Sequence, residues 1–373
     1  MAKQRGKTGK VLRKIKRPAR IGFLGYLGDV QGCGTIRVMY PFMLLNHVRE
    51  KDLQFNTQYI SAYITEPNFY KDFTFVQFQR SATDQHVNLY KHFKSQVQSK
   101  YKIPLVYEID DLLIDIPEWN YASPYYKKME SNVKWLMEQS DGMITSTPRL
   151  AEIYKQYNKK IEVIPNHLPK FVWQDIFPAH EYKKERDKIK ILWAGSQNHF
   201  AMPEIIGNDI KGGDFGKELM SFIRKTTDLY EWHLMGAMPT ELRGLKDKIR
   251  FHSWENIFNY PRKLKAIEPD ICIAPLMDNV FNSCKSNIKS LEYAALGASS
   301  VFSDVIPYKS MSLRCKTDVE FIHYIEKLAS DIDFRAKTWK KDYSRVKSQL
   351  YWEENNNLKK FINTYLNMFG QKL

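Results

Sequence analysis

Two lysines and a glutamate near residue 290 have the spacing that a site for an anion and a diol would need. Lys285, Lys289 and Glu292 recur at i, i+4 and i+7, so a helix places them on one face. We predict that this helix begins near Ser286, a good N-cap residue, and ends at Gly297. Two ammonium groups at a helix N-terminus can hold an anion, and a carboxylate two turns later can accept hydrogen bonds from a diol. A nucleoside diphosphate linked to a sugar offers both groups.

The same spacing is compatible with an ordinary amphipathic helix. In that interpretation the Lys/Glu face is solvated, and the opposite face, with Ile288, Leu291 and Ala295, packs on a sheet. The order of elements favours a site, because the pattern is a buried strand, a polar loop, the helix, a glycine and a second short strand. In parallel α/β sheets, ligands bind beyond the carboxyl ends of the strands, which is where this helix would begin.

A second candidate is the pair Asp110 and Asp111, which follows the apolar segment IPLVYEI. Adjacent carboxylates at the end of a strand could raise one pKa, bind a divalent cation or orient an acceptor hydroxyl. The alternative is that the two aspartates only cap the next segment. Glu108 lies one alternation before Asp110, so we expect both side chains on the same side of the strand.

Two loops that contain glycine follow predicted strands. Gly32 and Gly34 follow the strand RIGFL, but a dinucleotide fingerprint would need a third glycine where Arg37 stands. We interpret this loop as the wall of a cleft, with Arg37 one turn into the next helix, although a plain strand–helix turn explains the glycines equally well. Gly195 and Ser196 follow the strand KIKILWA, where a glycine lets backbone N–H groups approach a phosphate.

His199 and Trp254 are weaker candidates in the same half of the chain. His199 is either a polar neighbour of the Gly195 loop or an ordinary surface histidine. Trp254 lies in a strand-to-helix loop, where an aromatic ring serves either a ligand or local packing.

The elements that must position these residues alternate along the chain. Helical patterns separate short apolar segments, which predicts parallel sheets that are covered on both faces. The aperiodic segment 171–188 divides the chain into halves. The predicted strands are 20–24, 73–78, 104–109, 142–145 and 162–164 in the first half, and 188–194, 231–235, 249–252, 270–274 and 299–302 in the second.

This alternation predicts an α/β protein with two doubly wound, Rossmann-like domains that face each other across a cleft. We assign residues 21–175 to an N-terminal domain and residues 186–335 to a C-terminal domain, with ligands expected in the cleft between them. Residues 1–20 form a basic tail. Residues 336–373 are predicted to be helices that cross back to the N-terminal domain and close the molecule.

The charge of the chain favours a polyanionic partner. The 373 residues include 57 Lys and Arg against 42 Asp and Glu, for a net charge of +15. The segment Met1–Arg20 carries nine basic residues and no acidic one, and a second concentration begins at Arg335. Nucleic acid and an anionic membrane surface both fit this charge, whereas the alternative is a tail that only aids solubility. This C-terminal concentration of basic residues includes Lys340, Lys341, Lys359 and Lys360.

The cysteines and the hydropathy pattern indicate a cytoplasmic protein. Four cysteines are scattered without CxxC spacing, which argues against a zinc site and against a disulfide framework. No apolar segment approaches the ~20 residues that cross a bilayer, and the basic N-terminus has no apolar signal region. We therefore expect no transmembrane segment, while the oligomeric state stays open.

Several short segments occur in an order typical of one enzyme group. They are VYEIDDLL, ITSTPRL, VIPNHLP, ILWAGSQNH, FNSCKSNIKSLEYAALG and SDVIPY. In these segments the chain resembles glycosyltransferases of the GT-B fold, especially the retaining enzymes of family 4. The resemblance implies that Glu292 holds the ribose hydroxyls of the donor. It also implies that Lys285, Ser286 and Asn287 meet the diphosphate at the helix entrance.

The resemblance extends to two loops and fails at two positions. It implies that the Gly195–Ser196 loop approaches the diphosphate and that Trp254 lies where related enzymes contact the nucleobase. Family members carry two glutamates with seven residues between them, but Cys284 stands at the first position here. The Arg and Lys that often follow the Gly195 loop are also missing, so we expect Lys285 and Lys289 to carry more of the phosphate charge.

The resemblance implies a UDP-sugar as co-substrate, retention of anomeric configuration and no tightly bound cofactor. A divalent cation is permitted but not required, and we assign no residue as a metal ligand. We expect Asp110 or Asp111 to position the acceptor hydroxyl. The basic flanks and the Lys- and aromatic-rich composition also resemble T-even-type bacteriophage enzymes that attach glucose or arabinose to 5-hydroxymethylcytosine in DNA.

That second resemblance implies double-stranded DNA as partner, evasion of restriction as purpose and the host cytoplasm as location. Two alternatives remain open at this point. One is a glycosyltransferase that acts on a lipid or a surface polysaccharide, with its basic face on anionic lipid. The other is a non-catalytic nucleic-acid-binding protein on a decayed GT-B fold.

Overall fold

The computed structural model describes residues 19–48, 53–176, 187–207 and 212–371. All but the last two residues of the predicted basic tail at 1–20 lie outside these ranges. The chain folds into two six-stranded sheets whose paired strands are parallel. This confirms the predicted α/β class and the two Rossmann-like units.

The first sheet has the strand order β2-β1-β3-β4-β5-β6. Every residue of β3 and β4 is buried, as expected for central parallel strands covered on both faces. The order reverses between β1 and β3, so the loops after these two strands flank a crevice. The strands are β1 Ala19–Tyr26, β2 Leu53–Ile60, β3 Phe75–Gln79, β4 Leu105–Ile109, β5 Gly142–Thr145 and β6 Ile161–Val163.

The second sheet has the order β12-β11-β10-β7-β8-β9. Its first strand, β7, lies in the middle, and the order reverses between β7 and β10. The crevice beyond these two carboxyl ends is where doubly wound sheets bind ligands. The strands are β7 Lys190–Ala194, β8 Glu231–Met235, β9 Arg250–His252, β10 Ile271–Ala274, β11 Ser299–Ser303 and β12 Arg314–Cys315.

All ten predicted strands are present, with ends within two residues of the prediction. Two further strands, β2 and β12, were not predicted, and both lie at sheet edges. Only Leu53 and Thr57 are buried in β2, so its apolar pattern is weak, and β12 has only two residues.

Helices connect successive strands and cover the sheets. They are α1 Tyr40–His47, α2 Asp84–His92, α3 Ser99–Tyr101, α4 Ser123–Gln139, α5 Pro148–Tyr154, α6 Lys170–Trp173, α7 Pro203–Ile206, α8 Lys217–Lys225, α9 Tyr260–Ile267, α10 Val280–Ser283, α11 Ile288–Leu296, α12 Asp318–Ser330, α13 Ile332–Leu350 and α14 Asn357–Met368. A π-helical turn at Thr35–Met39 leads into α1, and another at Phe93–Gln98 joins α2 to α3. Short 3₁₀ segments occupy Pro67–Asp72, Gln174–Ile176, Gln197–His199, Thr240–Leu245 and Ile306–Tyr308.

The two C-terminal helices pack on different sheets. On α13, Val346 and Leu350 belong to the core of the second sheet. On α14, Tyr365 packs against Phe23 of β1, with 5.1 Å between ring centroids. The predicted boundary between residues 335 and 336 falls inside α13, so the chain passes to the first sheet only after Leu350.

The loops after the carboxyl ends of the two sheets contact each other. Hydrogen bonds join Asn120 to Asn198, Thr147 to Cys284, Asn166 to Ser286 and Gln31 to Trp254, at 2.8–3.2 Å. The loops after the carboxyl ends of both sheets therefore meet at one junction. Among the described residues, no helix combines the length and apolar character of a bilayer span.

Candidate functional site

Lys289 lies at the reversal point of the second sheet. Its Nζ donates a hydrogen bond to the carbonyl oxygen of Ala194, the last residue of β7. Burial lowers the pKa of Lys289, and the positive charge of Lys285 lowers it further, while Glu292 acts in the opposite direction. A cation is thus held at the edge of the sheet where an anionic ligand would bind.

The helix α11 begins at Ile288 and its N-cap is Asn287, one residue after the predicted cap Ser286. Ser286 lies one residue before the cap position, and its Oγ accepts a hydrogen bond from Asn166. Asn287 does not cap the helix through its side chain, because its carboxamide exchanges two 3.1 Å hydrogen bonds with Gln349. The predicted end at Gly297 is confirmed, with φ +76° at this residue.

Lys285 is not on the helical face that its spacing suggested. The segment before α11 forms a short helix of its own, α10, in which the Asn279 side chain accepts a hydrogen bond from the Asn282 amide. Lys285 lies in the turn between the two helices, with Nζ 4.6 Å from the centre of the Phe281 ring. It still lies close enough to Lys289 for their charges to interact.

Glu292 is buried, with 8% of its surface exposed. Its Oε2 accepts a 3.1 Å hydrogen bond from the Tyr260 hydroxyl. Burial raises the pKa of Glu292, while Lys289 and the Tyr260 hydrogen bond lower it. Tyr260 was not predicted as a partner of Glu292, because it lies 32 residues away at the start of α9.

Tyr40 brings the first domain to the same glutamate. Burial raises the pKa of Tyr40, and the negative charge of Glu292 raises it further. The Tyr40 hydroxyl is fully buried and has no hydrogen-bond partner among the described residues. Buried hydroxyl groups normally have a hydrogen-bond partner, so the Tyr40 hydroxyl is an unsatisfied polar group within electrostatic range of Glu292.

Gly195 and Ser196 form the turn after β7, as predicted. A Cβ at Gly195 would lie 2.5 Å from the Trp193 ring, so close packing requires glycine here. Ser196 precedes the 3₁₀ turn at Gln197–His199 and forms no side-chain cap. His199 is buried rather than on the surface, and its Nδ1 lies 2.7 Å from Asp214 Oδ2.

Trp254 remains an exposed residue of the junction, with 52% of its surface accessible. Its Nε1 donates a 3.2 Å hydrogen bond to Gln31 in the loop after β1. The neighbouring Glu255 pairs with Lys263 at 3.3 Å. Trp254 therefore contacts the other domain instead of packing in its own core.

Asp110 and Asp111 are held by an arginine that the sequence analysis missed. Arg80 follows β3, and its Nε lies 3.4 Å from Asp110 Oδ1 while Nη2 lies 3.3 Å from Asp111 Oδ2. Arg80 Nη1 also donates to Cys33 Sγ at 3.1 Å. Among the described residues, no group of three His, Cys, Asp or Glu side chains could hold a metal ion. The single positive charge of Arg80 offsets part of the negative charge of the two carboxylates for which a cation was considered.

The glycine loop after β1 is organised around Asp29. The amides of Gln31 and Gly32 donate to Asp29 Oδ1 at 3.0 and 2.5 Å, and the Gly34 amide donates to Oδ2 at 3.1 Å. A Cβ at Gly34 would collide with the Asp29 backbone oxygen. These backbone donors are therefore occupied by Asp29 and are not open to a ligand.

Arg37 does not line a cleft, which corrects the sequence-based expectation. Its side chain is 2% exposed, and Nε pairs with Glu108 Oε1 at 2.6 Å. Its Nη1 donates to the Ile164 carbonyl and to Asn166 Oδ1, both at 2.7 Å. A guanidinium with these partners can be buried, because each hydrogen bond offsets part of the free energy cost of removing the group from water.

Comparison with protein families found no matching family model. Comparison with curated proteins also found no match. Among solved structures, the N-terminal domain of Candida albicans trehalose-6-phosphate phosphatase is similar with a TM-score of 0.54 and 10% identity, over 95% of this chain and 98% of that one. A D-isomer specific 2-hydroxyacid dehydrogenase from Lactobacillus delbrueckii ssp. bulgaricus has a TM-score of only 0.21 at 10% identity, over 94% of this chain and 99% of that one. The first similarity shows a shared overall fold.

Proposed function

We propose that this protein is a glycosyltransferase of the GT-B fold, similar to family 4, which transfers a sugar from a UDP-sugar with retention of configuration. The observation that carries the proposal is the arrangement around the reversal point of the second sheet. There, Lys285 and Lys289 supply positive charge, Glu292 supplies a carboxylate, and the loops of the first domain lie opposite.

In this proposal the lysines act on the leaving group. Cleavage of the anomeric bond increases the charge on the departing diphosphate, so cations fixed beside it stabilise the transition state more than the ground state. Lys289 is held in place by the Ala194 carbonyl. Glu292 Oε2 is bonded to Tyr260, and Oε1 forms no hydrogen bond within the described part of the chain, so Oε1 is the oxygen proposed for the ribose.

The acceptor would lie on the side of the first domain. Asp110 and Asp111 follow β4, and Arg80 forms ion pairs with both carboxylates. The side chain of Asp110 is 10% exposed and that of Asp111 is 19% exposed, so both keep an accessible edge. We assign to them the orientation of the acceptor hydroxyl.

For the acceptor we propose 5-hydroxymethylcytosine in double-stranded DNA, with the host cytoplasm as location. Support comes from the net charge of +15 and from an α13 lysine stripe, formed by the exposed residues Lys337, Lys340, Lys341 and Lys347. Lys359 and Lys360 are also exposed on the neighbouring α14. Such cations would bind phosphates while the modified base is extruded into the site.

The test combines nucleotide binding with transfer. Thermal unfolding in UDP, GDP or ADP should show stabilisation by UDP, since a ligand of the native state contributes about 2.7 kcal/mol at a concentration of 100 Kd. Incubation with hydroxymethylcytosine DNA and individual UDP-sugars, followed by nucleoside mass analysis, should show a glycosylated base. Lys289→Met should abolish the UDP effect, and Lys309→Met, at an exposed lysine, should retain it.

Two outcomes would redirect the proposal. Transfer to a lipid or saccharide, with none to DNA, would support the alternative acceptor class. Binding of DNA without any response to nucleotides would support a non-catalytic protein on the same fold.

A further inference from the structure

His199 and Asp214 form a buried pair beside the proposed diphosphate site. His199 follows the Gly195 turn, and its ring packs edge-on against Trp193 at 5.6 Å. The preceding residue, Asn198, accepts a 3.2 Å hydrogen bond from Asn120 of the first domain. The pair therefore lies at the junction of the two domains, where the donor is proposed to bind.

The hydrogen bonds around Asp214 determine which nitrogen of His199 carries the proton. Asp214 Oδ1 accepts from the Met277 amide at 2.9 Å and from Asn282 Nδ2 at 2.6 Å, so the carboxylate is fixed on that side. Its Oδ2 can then only accept from His199 Nδ1, at 2.7 Å. A neutral His199 consequently presents a lone pair at Nε2.

Nε2 forms no hydrogen bond within the described part of the chain, and 11% of the His199 side chain is exposed. The charged groups that act on the ring are Asp214 on one side and Lys285 and Lys289 on the other. Burial lowers the pKa of His199, Asp214 raises it, and the two lysines lower it again. In the free protein the ring is thus neutral near pH 7.

We propose that His199 is a third ligand of the donor diphosphate and that Nε2 takes up one proton from solvent when the donor binds. The proposal rests on the proposed function, since it adds a residue to the same site. A bound phosphate oxygen needs a donor, and the Nε2 lone pair can become one only by protonation. The negative phosphate offsets the two lysines, and Asp214 stabilises the imidazolium through Nδ1–H.

Binding would therefore be linked to pH. His199 has a lowered pKa in the free protein and would have a raised pKa in the complex. Between these two values the affinity for the donor falls as pH rises, by up to about tenfold per pH unit. Outside this window the dependence disappears. In this proposal the His199 imidazolium, which forms only when the donor binds, replaces the Arg and Lys that are missing after the Gly195 turn.

The experiment is titration calorimetry of the full chain with UDP-glucose, near pH 7, in two buffers of different ionisation enthalpy. This probe is suitable because its phosphates are diesters and do not titrate near neutrality. We expect uptake of close to one proton. His199→Gln should remove the uptake and weaken binding about tenfold at low pH. His323→Gln, at an exposed histidine of α12, is the matched control and should change neither.

Asp214→Asn provides the sharper test. An asparagine that keeps its oxygen toward Met277 and Asn282 turns its N–H₂ group toward Nδ1, which places the histidine proton on Nε2. The neutral ring would then donate without protonation, so binding should persist while proton uptake is lost. Binding without uptake in the unaltered protein, or unchanged uptake in His199→Gln, would overturn this inference alone. Absence of binding of both UDP-glucose and UDP at every pH would overturn the proposed function as well.

Discussion

The Asn166 carboxamide donates a 2.8 Å hydrogen bond to Ser286 Oγ, which joins the segment after β6 to the turn before α11. The oxygen of the same carboxamide accepts from Arg37 Nη1 at 2.7 Å. Arg37 in turn pairs with Glu108 through Nε at 2.6 Å. A continuous polar path therefore runs from a buried acid in the first sheet to the entrance of the proposed diphosphate site.

Glu108 should make stability depend on pH. Burial raises the pKa of Glu108 from 4.5 to about 7, although Arg37 opposes this shift. The folded protein thus holds the proton more tightly than the unfolded chain. The contribution of Glu108 to the free energy of unfolding should therefore be largest below pH 4.5. It should fall by up to about 3 kcal/mol as pH rises through 7. Glu108→Gln should remove that fall, as measured by urea unfolding at several pH values.

Glu130→Gln is the matched control, because it alters a partly exposed carboxylate on α4 that pairs with Lys134. Its pH profile should follow that of the unaltered protein. If the free energy of unfolding of Glu108→Gln depends on pH as it does in the unaltered protein, Glu108 does not titrate between pH 4.5 and 7.

Glu292 should determine the preference for ribose. The unaltered protein is expected to bind UDP at least about tenfold more tightly than 2′,3′-dideoxy-UDP, because hydrogen bonds to a charged group contribute about 1.5–3 kcal/mol. Glu292→Leu should bring the two affinities close together. Tyr260→Phe removes the partner of Oε2 and should keep the preference. Calorimetry with both nucleotides measures the ratio, and a preference that survives in Glu292→Leu would exclude this role.

Local sequence patterns were sufficient to predict the elements whose structure depends on burial or on the backbone conformation of a single residue. Gly297 ends α11 as predicted, because a glycine at φ +76° can end a helix where a residue with a Cβ would be strained. The strand β4 is buried throughout, so its apolar sequence alone identified it. Lys289 and Glu292 also lie within electrostatic range of each other, as their spacing predicted, since both are on the same helix.

Partners from distant parts of the chain could not be predicted in this way. Arg37 looked like a cleft residue because nothing near it in sequence shows that Glu108, 71 residues away, would lie beside it. Arg80 meets Asp110 only because β3 lies next to β4 in the sheet order. Asp214 gave no signal either, since its contact with His199 depends on the loop between β7 and α8.

Arg80 should support turnover without contributing to donor binding. Arg80→Met would release Asp110 and Asp111, and misplaced catalytic groups commonly reduce turnover by roughly 100-fold. Asp110→Asn and Asp111→Asn should have effects of the same order if the carboxylates orient the acceptor. UDP affinity should stay unchanged in all three variants. Asp115→Asn, at an exposed aspartate in the same loop, is the control. A parallel loss of UDP affinity would show instead that the cluster supports the fold of the junction.

The α13 lysine stripe should contribute to the salt dependence of DNA binding. Each lysine that neutralises a phosphate releases a counterion, so loss of one contact lowers the slope of log affinity against log salt by about 0.9. The double variant Lys337→Gln, Lys341→Gln should therefore reduce the slope by nearly two, as measured by fluorescence anisotropy on a hydroxymethylcytosine duplex. Lys217→Gln, Lys225→Gln on α8 removes the same charge from exposed positions and should preserve the slope. Equal slopes of log affinity against log salt in the two double variants would show that net charge alone explains the salt dependence. DNA would then contact a surface other than the α13 lysine stripe.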